Sequence, residues 1–157
     1  MREILFKAKV IDTGEWIEGI PIKTHIGLFM CFDENPHYCN QYGYMEIDKI
    51  IKVDESTLCQ YTGLTDKNGN KIWENDILRY SYDYENSHWL EAKGLTNKDI
   101  KYHIGAVFWQ EWRGVWAVCG KGTSRGCNQD VYVYSRNPNR VEVIGNIFDN
   151  EDLLKGE

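Results

Sequence analysis

The sequence predicts a mainly β protein whose short strands roll into a small barrel, with an N-terminal β-hairpin arm, long loops and a short C-terminal helix. Three observations carry that expectation. Apolar segments of strand length follow one another with short turns between them. Aromatic residues reach 13%, with six Trp and ten Tyr, and Pro is scarce at three. Such bulky side chains suit a pleated, half-buried surface. No amphipathic helix of useful length separates successive strands, so parallel βαβ units are not expected. A chain of 157 residues suits one domain, because a domain of that size buries about 70% of the surface its unfolded form exposes. Within 1–157, residues 1–58 read as an N-terminal β arm or sheet, 59–148 as the barrel region and 149–157 as a tail.

The arm begins as a hairpin. Ile4, Phe6, Ala8 and Val10 alternate with Leu5, Lys7, Lys9 and Ile11, and a period of two places each set on its own face. Asp12-Thr13-Gly14-Glu15 is the turn, and Trp16 to Ile22 the return strand. Trp16, Ile20 and Ile22 share one face; Pro21 on the other predicts an edge or a strand end, because proline has no N–H to give a neighbour. Residues 26–32 form a continuous apolar run of strand length. Residues 33–43 form a polar loop. Residues 44–53 read as a strand interrupted at Asp48-Lys49, and Asp54-Glu55-Ser56-Thr57 as a connector able to start a short turn.

The segment from Cys59 to Tyr80 is the most informative. Asn68-Gly69 is a strong hairpin signal, predicting a type I′ turn with positive φ at both residues. Ile72-Trp73 leads into Glu74-Asn75-Asp76, an acidic tight turn before the apolar strand Ile77 to Tyr80. Asn75 is suited there to the left-handed conformation. Residues 83–103 interrupt the regularity with a long excursion that has room for one helical turn, a length uncommon in a compact domain unless it binds or packs on something. A second hairpin follows. Ile104 to Trp109 is one strand, residues 110–114 the turn, and Val115 to Cys119 the return. Gly120 to Gly126 is a glycine-rich loop, Val131 to Tyr134 a strand, and Val141 to Ile147 the last strand. Acids in the first turn favour a short helix over Asp149 to Leu154.

Charge excludes some functions and disfavours others. The net charge is −6, whereas phosphate neutralisation makes a non-specific nucleic-acid binder basic. Only residues 113–140 run against this balance. Arg113, Lys121, Arg125, Arg136 and Arg140 face Asp130 alone, a net of +4. No apolar run approaches membrane-span length, and no signal-peptide core follows Met1. Five Cys, an odd number, argue against a secreted disulfide framework. The expectation is a reduced, cytoplasmic protein without membrane contact.

Three runs of residues resemble the YopX family of phage and prophage proteins. They are Gln60-Tyr61-Thr62-Gly63-Leu64, then Asp66-Lys67-Asn68-Gly69, then Lys71-Ile72-Trp73-Glu74-Asn75-Asp76-Ile77. The opening Arg2-Glu3-Ile4-Leu5-Phe6-Lys7-Ala8-Lys9, the Gly14-Glu15-Trp16 turn and the closing Glu142-Val143-Ile144-Gly145-Asn146-Ile147 resemble it too, so the similarity spans nearly the whole chain. The resemblance implies an SH3-type barrel, self-association into a homo-oligomer, and a bacterial cytoplasmic location. It implies no known activity and carries over no catalytic residue. Asn75 departs from the glycine usual at that position. The 83–103 excursion is variable territory in the family, so nothing transfers to it.

Each candidate site has a plainer reading beside it. Cys31 and Cys39 have seven residues between them, as do Cys119 and Cys127; structural zinc prefers closely spaced pairs presented by one tight turn, so no metal or other cofactor is expected. Gly120-Lys121-Gly122-Thr123-Ser124-Arg125-Gly126 has the wrong residue order for a phosphate loop, and a strand rather than a helix follows it. The four His and many acids form no recognised catalytic motif, and the chain is not expected to be an enzyme. The remaining candidate is a binding surface of Trp112, Arg113, Lys121, Arg125, Tyr132 and Tyr134, where aromatics alternate with cations. Such a surface stacks bases in nucleic-acid-binding barrels, while core or interface packing is the plainer role for the same aromatics. Together with the phage or prophage origin and self-association that the resemblance implies, these residues lead to the expectation of an accessory protein that grips an unidentified phage or host protein. The alternative is a nucleic-acid-binding module using residues 113–140.

Overall fold

A computed structural model describes residues 3–32, 37–39, 44–46, 50–81, 88–120, 129–131 and 140–155. The strands among these described residues are β1 Phe6–Lys9, β2 Trp16–Thr24, β3 Gly27–Cys31, β4 His37–Cys39, β5 Tyr44–Glu46, β6 Ile50–Val53, β7 Cys59–Thr65, β8 Lys71–Trp73, β9 Asp76–Tyr80, β10 His103–Gln110, β11 Val115–Gly120, β12 Gln129–Asp130 and β13 Val141–Asn146. The pairings are antiparallel throughout. The helix α1 is short, spanning His88–Ala92. The chain divides into two compact units, Met1–Gln60 and Tyr61–Glu157.

In the first unit one sheet runs β6-β3-β2-β1, with β1 paired to Cys59 and Gln60 of β7, while β4 and β5 pair as a separate two-stranded sheet where a polar loop was expected over 33–43. Ala8, Leu28, Met30 and Val53 form its buried core, with Phe6, Ile17 and Leu58 packed against them. The strand β2 changes partner in mid-course. Gly19 pairs with Phe6 of β1, while the next residue, Ile20, pairs with Cys31 of β3. A Cβ on Gly19 would lie 2.3 Å from the Cys31 carbonyl oxygen, so the bend needs a residue without a side chain. Pro21 follows the bend, where β2 has left β1 and has β3 as its neighbour. Beyond Gly19 the strand has β3 alone as its paired neighbour, so Pro21 lies on a local edge, although β2 as a whole is an interior strand of the sheet. The connector behaves as expected. Asp54 caps the 3-10 turn Glu55–Thr57 by accepting from the Ser56 amide at 2.9 Å.

The expected barrel is not closed among the described residues. In the first unit a single bridge joins Val10 to Val53, flanked by the Asp54 amide donating to the Lys9 carbonyl at 2.8 Å. One residue pair rolls the sheet without sealing it. In the second unit β11-β10-β9-β13 form a sheet of four strands, extended by the two-residue β12. Here β12 and β13 stand at opposite edges, and β13 is bulged between Val143 and Gly145. Bulges end or redirect pairing.

The second core gathers Ile72, Leu78, Tyr80, Val107, Trp116, Val118, Val131 and Val141. The Asn68-Gly69 hairpin forms, but not as type I′. Gly69 has φ of 83°, and among the described residues Asn75 is the non-glycine residue with positive φ, at 65°. Asn68 therefore stays right-handed, in a type I turn from Asp66 to Gly69 with the Gly69 amide donating to the Asp66 carbonyl at 3.1 Å. The 83–103 excursion holds α1 and a 3-10 turn at Asn97–Asp99. The C-terminal element is a 3-10 turn, Glu151–Leu154, rather than an α-helix.

Candidate functional site

The described part of the sequence-predicted surface lies at the tip of the β10–β11 hairpin. Trp109 pairs with Trp116, and Gln110 with Val115, at the last rungs before the turn. Gln110 is buried and organises that turn. Its carbonyl accepts from the amides of Arg113 at 3.2 Å and Gly114 at 2.9 Å, and its side-chain oxygen accepts from Arg113 Nη1 at 3.4 Å. The turn then presents Trp112 at 77% exposure and Trp109 at 41%. The Arg113 guanidinium sits 5.6 Å from the centre of the Trp112 ring. Trp109 meets the buried Trp116 in an edge-to-face contact at 5.0 Å. The aromatic series is thus split. Trp116 anchors the hairpin in the core, Trp109 leans on it, and Trp112 projects into water with a cation over its face.

Of the predicted surface residues, Trp112 and Arg113 are brought together. Lys121, Arg125, Tyr132 and Tyr134 lie outside the described residues, as do most of the charges that make 113–140 basic. Val107 and Trp109 lie two positions apart on β10 and so share a face. Val107 is fully buried, but Trp109 is not, because the core ends before the strand does.

The runs that resemble YopX proteins build a scaffold. The Asp66 carboxylate is 2% exposed and accepts four hydrogen bonds. The donors are the amides of Asn68 at 2.8 Å, Asn70 at 2.9 Å and Val143 at 3.1 Å, with Asn70 Nδ2 at 3.2 Å. Burial alone would raise its pKa. The bonds from Val143, Asn70 and Asn68 outweigh burial and hold the carboxyl below its ordinary value. Asp76 is also buried and accepts from the Trp73 amide at 2.8 Å. Asn75 donates its amide to the Val107 carbonyl at 2.9 Å and accepts from the Ile147 amide at 3.0 Å. Glu142 sits on β13 opposite Arg79 of β9 and binds both Arg79 and Lys67. Burial pushes its pKa up, and the two cations pull it down further than that. These carboxylates hold turns and strands, and the groups that bind Asp66 and Glu142 favour their ionised, deprotonated form.

A concavity in the first unit has no counterpart in the sequence motifs. It has a volume of about 520 Å³ and is lined by Lys9, Val10, Ile11, Ile26, Leu28 and Lys52, among others. Its residues come from three separated turns, so no local pattern marks it. Among the described residues no group of three or more His, Cys, Asp or Glu is placed to hold a metal ion. Cys127 and the Cys39 side chain lie outside them. No helix among the described residues is long and apolar enough to cross a membrane.

These features define a mainly β protein built on antiparallel sheets, with its central turns pinned by buried carboxylates and a tryptophan-bearing hairpin turned to solvent. The chain belongs to the YopX family, whose family model, described as YopX protein, matches residues 10–155. Its structure is similar to the crystal structure of protein EF1440 from Enterococcus faecalis, with a TM-score of 0.60 and 22% identity over 98% of this chain and 99% of that one. That likeness concerns the fold. No curated protein matches the chain.

Proposed function

We propose that the chain is a non-enzymatic interaction module of a phage or prophage, which self-associates and grips a protein partner with the β10–β11 tip. The observation that carries the reading is Trp112, 77% exposed on a turn whose own geometry is held by Gln110. A tryptophan in water has a large apolar surface still to bury, worth roughly 1.5–3 kcal/mol. Tryptophan and arginine are also the residues most enriched where binding energy concentrates. The engagement of Asp66, Asp76 and Glu142 in structural bonds supports the non-enzymatic part. An affinity pull-down from host cells during prophage induction, using the wild-type chain beside Trp112→Ala and Arg113→Glu, tests the reading. A specific partner captured by the wild type and lost by both variants is expected. A partner held equally by all three removes the tip from the proposal.

The stacked Trp112–Arg113 pair also favours a second reading, in which the tip stacks on single-stranded nucleic acid. That reading requires binding that weakens steeply with salt and with Arg113→Glu. Affinity indifferent to both ends it.

A further inference from the structure

The strand β3 has the sequence Gly27-Leu28-Phe29-Met30-Cys31, apolar throughout. An unbroken apolar run is the pattern of a strand covered on both faces. In the first unit one face of β3 is covered: Leu28 and Met30 point into the core, with Val53 beside Leu28. Among the described residues the other face is covered only in part: Ile22, Phe29 and Cys31 are half-buried, and the side chains at its flanks stay exposed. Register places Ile20, Cys31 and Ile50 in one row across β2, β3 and β6, and Ile22, Phe29 and Lys52 in the next. Ile20 is 62% exposed and Ile50 48%. Five of these six side chains are apolar and none is acidic, in a chain whose net charge is −6.

We infer that this outer face of β2-β3-β6 is the surface through which two copies of the chain associate, a step that rests on the self-association proposed above. Charge selects a second copy as the occupant. A two-fold interface sets the same patch against itself, so a patch with charged residues near its centre opposes itself. Here the one charge, Lys52, occupies a corner. A two-fold axis running along β3 sets Lys52 against Ile22 of the second copy. An axis across the strands sets it against Ile50. In neither case does Lys52 meet its own counterpart, and Phe29 and Cys31 form the centre. The chain's acids, which would repel one another, are absent from both rows.

Sedimentation velocity over a concentration series tests this with four proteins: the wild type, Ile20→Glu, Ile50→Glu and Trp112→Ala. Both isoleucines are on the surface and on different strands, so one variant keeps the test when the other folds poorly. Circular dichroism checks that each is folded. The expected result is a wild-type dimer, association at least about tenfold weaker in each Glu variant, and no change in Trp112→Ala. A wild type that stays monomeric overturns this inference together with self-association itself. A wild type that associates, with folded Glu variants that associate equally well, overturns the assignment of the face and leaves self-association standing. Dissociation by Trp112→Ala alone also overturns it, and moves the interface to the hairpin tip.

Discussion

The Asp66 carboxylate accepts a hydrogen bond from the backbone amide of Val143 at 3.1 Å, across 77 positions of sequence. The bond joins the turn of one hairpin to the strand that ends the second unit. It also explains why two of the runs that resemble YopX proteins sit where they do. Asp66 opens one and Val143 lies within the other, and neither makes structural sense alone. Asn75 repeats the arrangement by accepting from Ile147.

Removal of the Asp66 carboxylate leaves three amides short of an acceptor in a site that is nearly closed to water. Asp66→Ala is expected to destabilise the second unit by about 3 kcal/mol, the range for stranded buried donors. Asp66→Asn keeps one acceptor oxygen and should cost less. Urea denaturation followed by tryptophan fluorescence measures both.

Acid should act through the same group. The folded-state pKa of Asp66 lies below its unfolded value, so the ionised carboxylate stabilises the fold fully above about pH 4. That stabilisation is lost as pH falls through the lower, folded value. Glu142, also held low, acts in the same direction. Stability is therefore expected to be flat above about pH 5 and to fall below about pH 4. Asp66→Asn should flatten that fall. Parallel denaturation series at stepped pH would reveal it.

Asn75 holds φ of 65°, a conformation that costs a side-chain-bearing residue about 1–2 kcal/mol. Asparagine tolerates it and a β-branched residue does not. Asn75→Val is expected to lower the melting temperature clearly more than Asn75→Gly does. Calorimetry of the two variants side by side checks the order.

Gly19 lies at the bend of β2, where any Cβ would strike the Cys31 carbonyl at 2.3 Å and Met30 Cγ at 2.9 Å. Because the first of these atoms is backbone, the strands themselves must part. Gly19→Val is expected to cost the first unit about 3 kcal/mol. Amide hydrogen exchange should show faster exchange over β2 and β3.

The tryptophans of the second hairpin should separate stability from binding. Trp116, 8% exposed in the core cluster, is expected to cost about 3 kcal/mol when cut to alanine. Trp112→Ala at 77% exposure should change stability by less than about 0.5 kcal/mol. Equal losses at the two positions would contradict the division between anchor and projecting tip.

Local chemistry made much of the architecture legible in the sequence. The alternation of Phe6 and Ala8, the turn at Gly14, the left-handed Asn75 and the hairpin around Trp112 each depend on a few neighbouring residues, and each appears where it was expected. The Asn68-Gly69 turn falls where the dipeptide predicts, but it is type I because the Asp66 side chain binds the Asn68 and Asn70 amides.

Contacts between distant residues were beyond that reach. The sequence by itself determined that the chain is mainly β, that it belongs with the YopX proteins, and where most strands and turns fall. Only the tertiary structure decided that the sheets stay open among the described residues, that Asp66 and Asp76 are buried carboxylates, and that β3 buries Leu28 and Met30 while leaving Phe29 and Cys31 half-buried. A period of two separates the faces of a strand but does not say which one another layer will bury. An unbroken apolar run such as Gly27 to Cys31 lacks even that separation. The answer depends on which strands the chain brings alongside, and Val10 meeting Val53 is a matter of long-range pairing that no local pattern encodes.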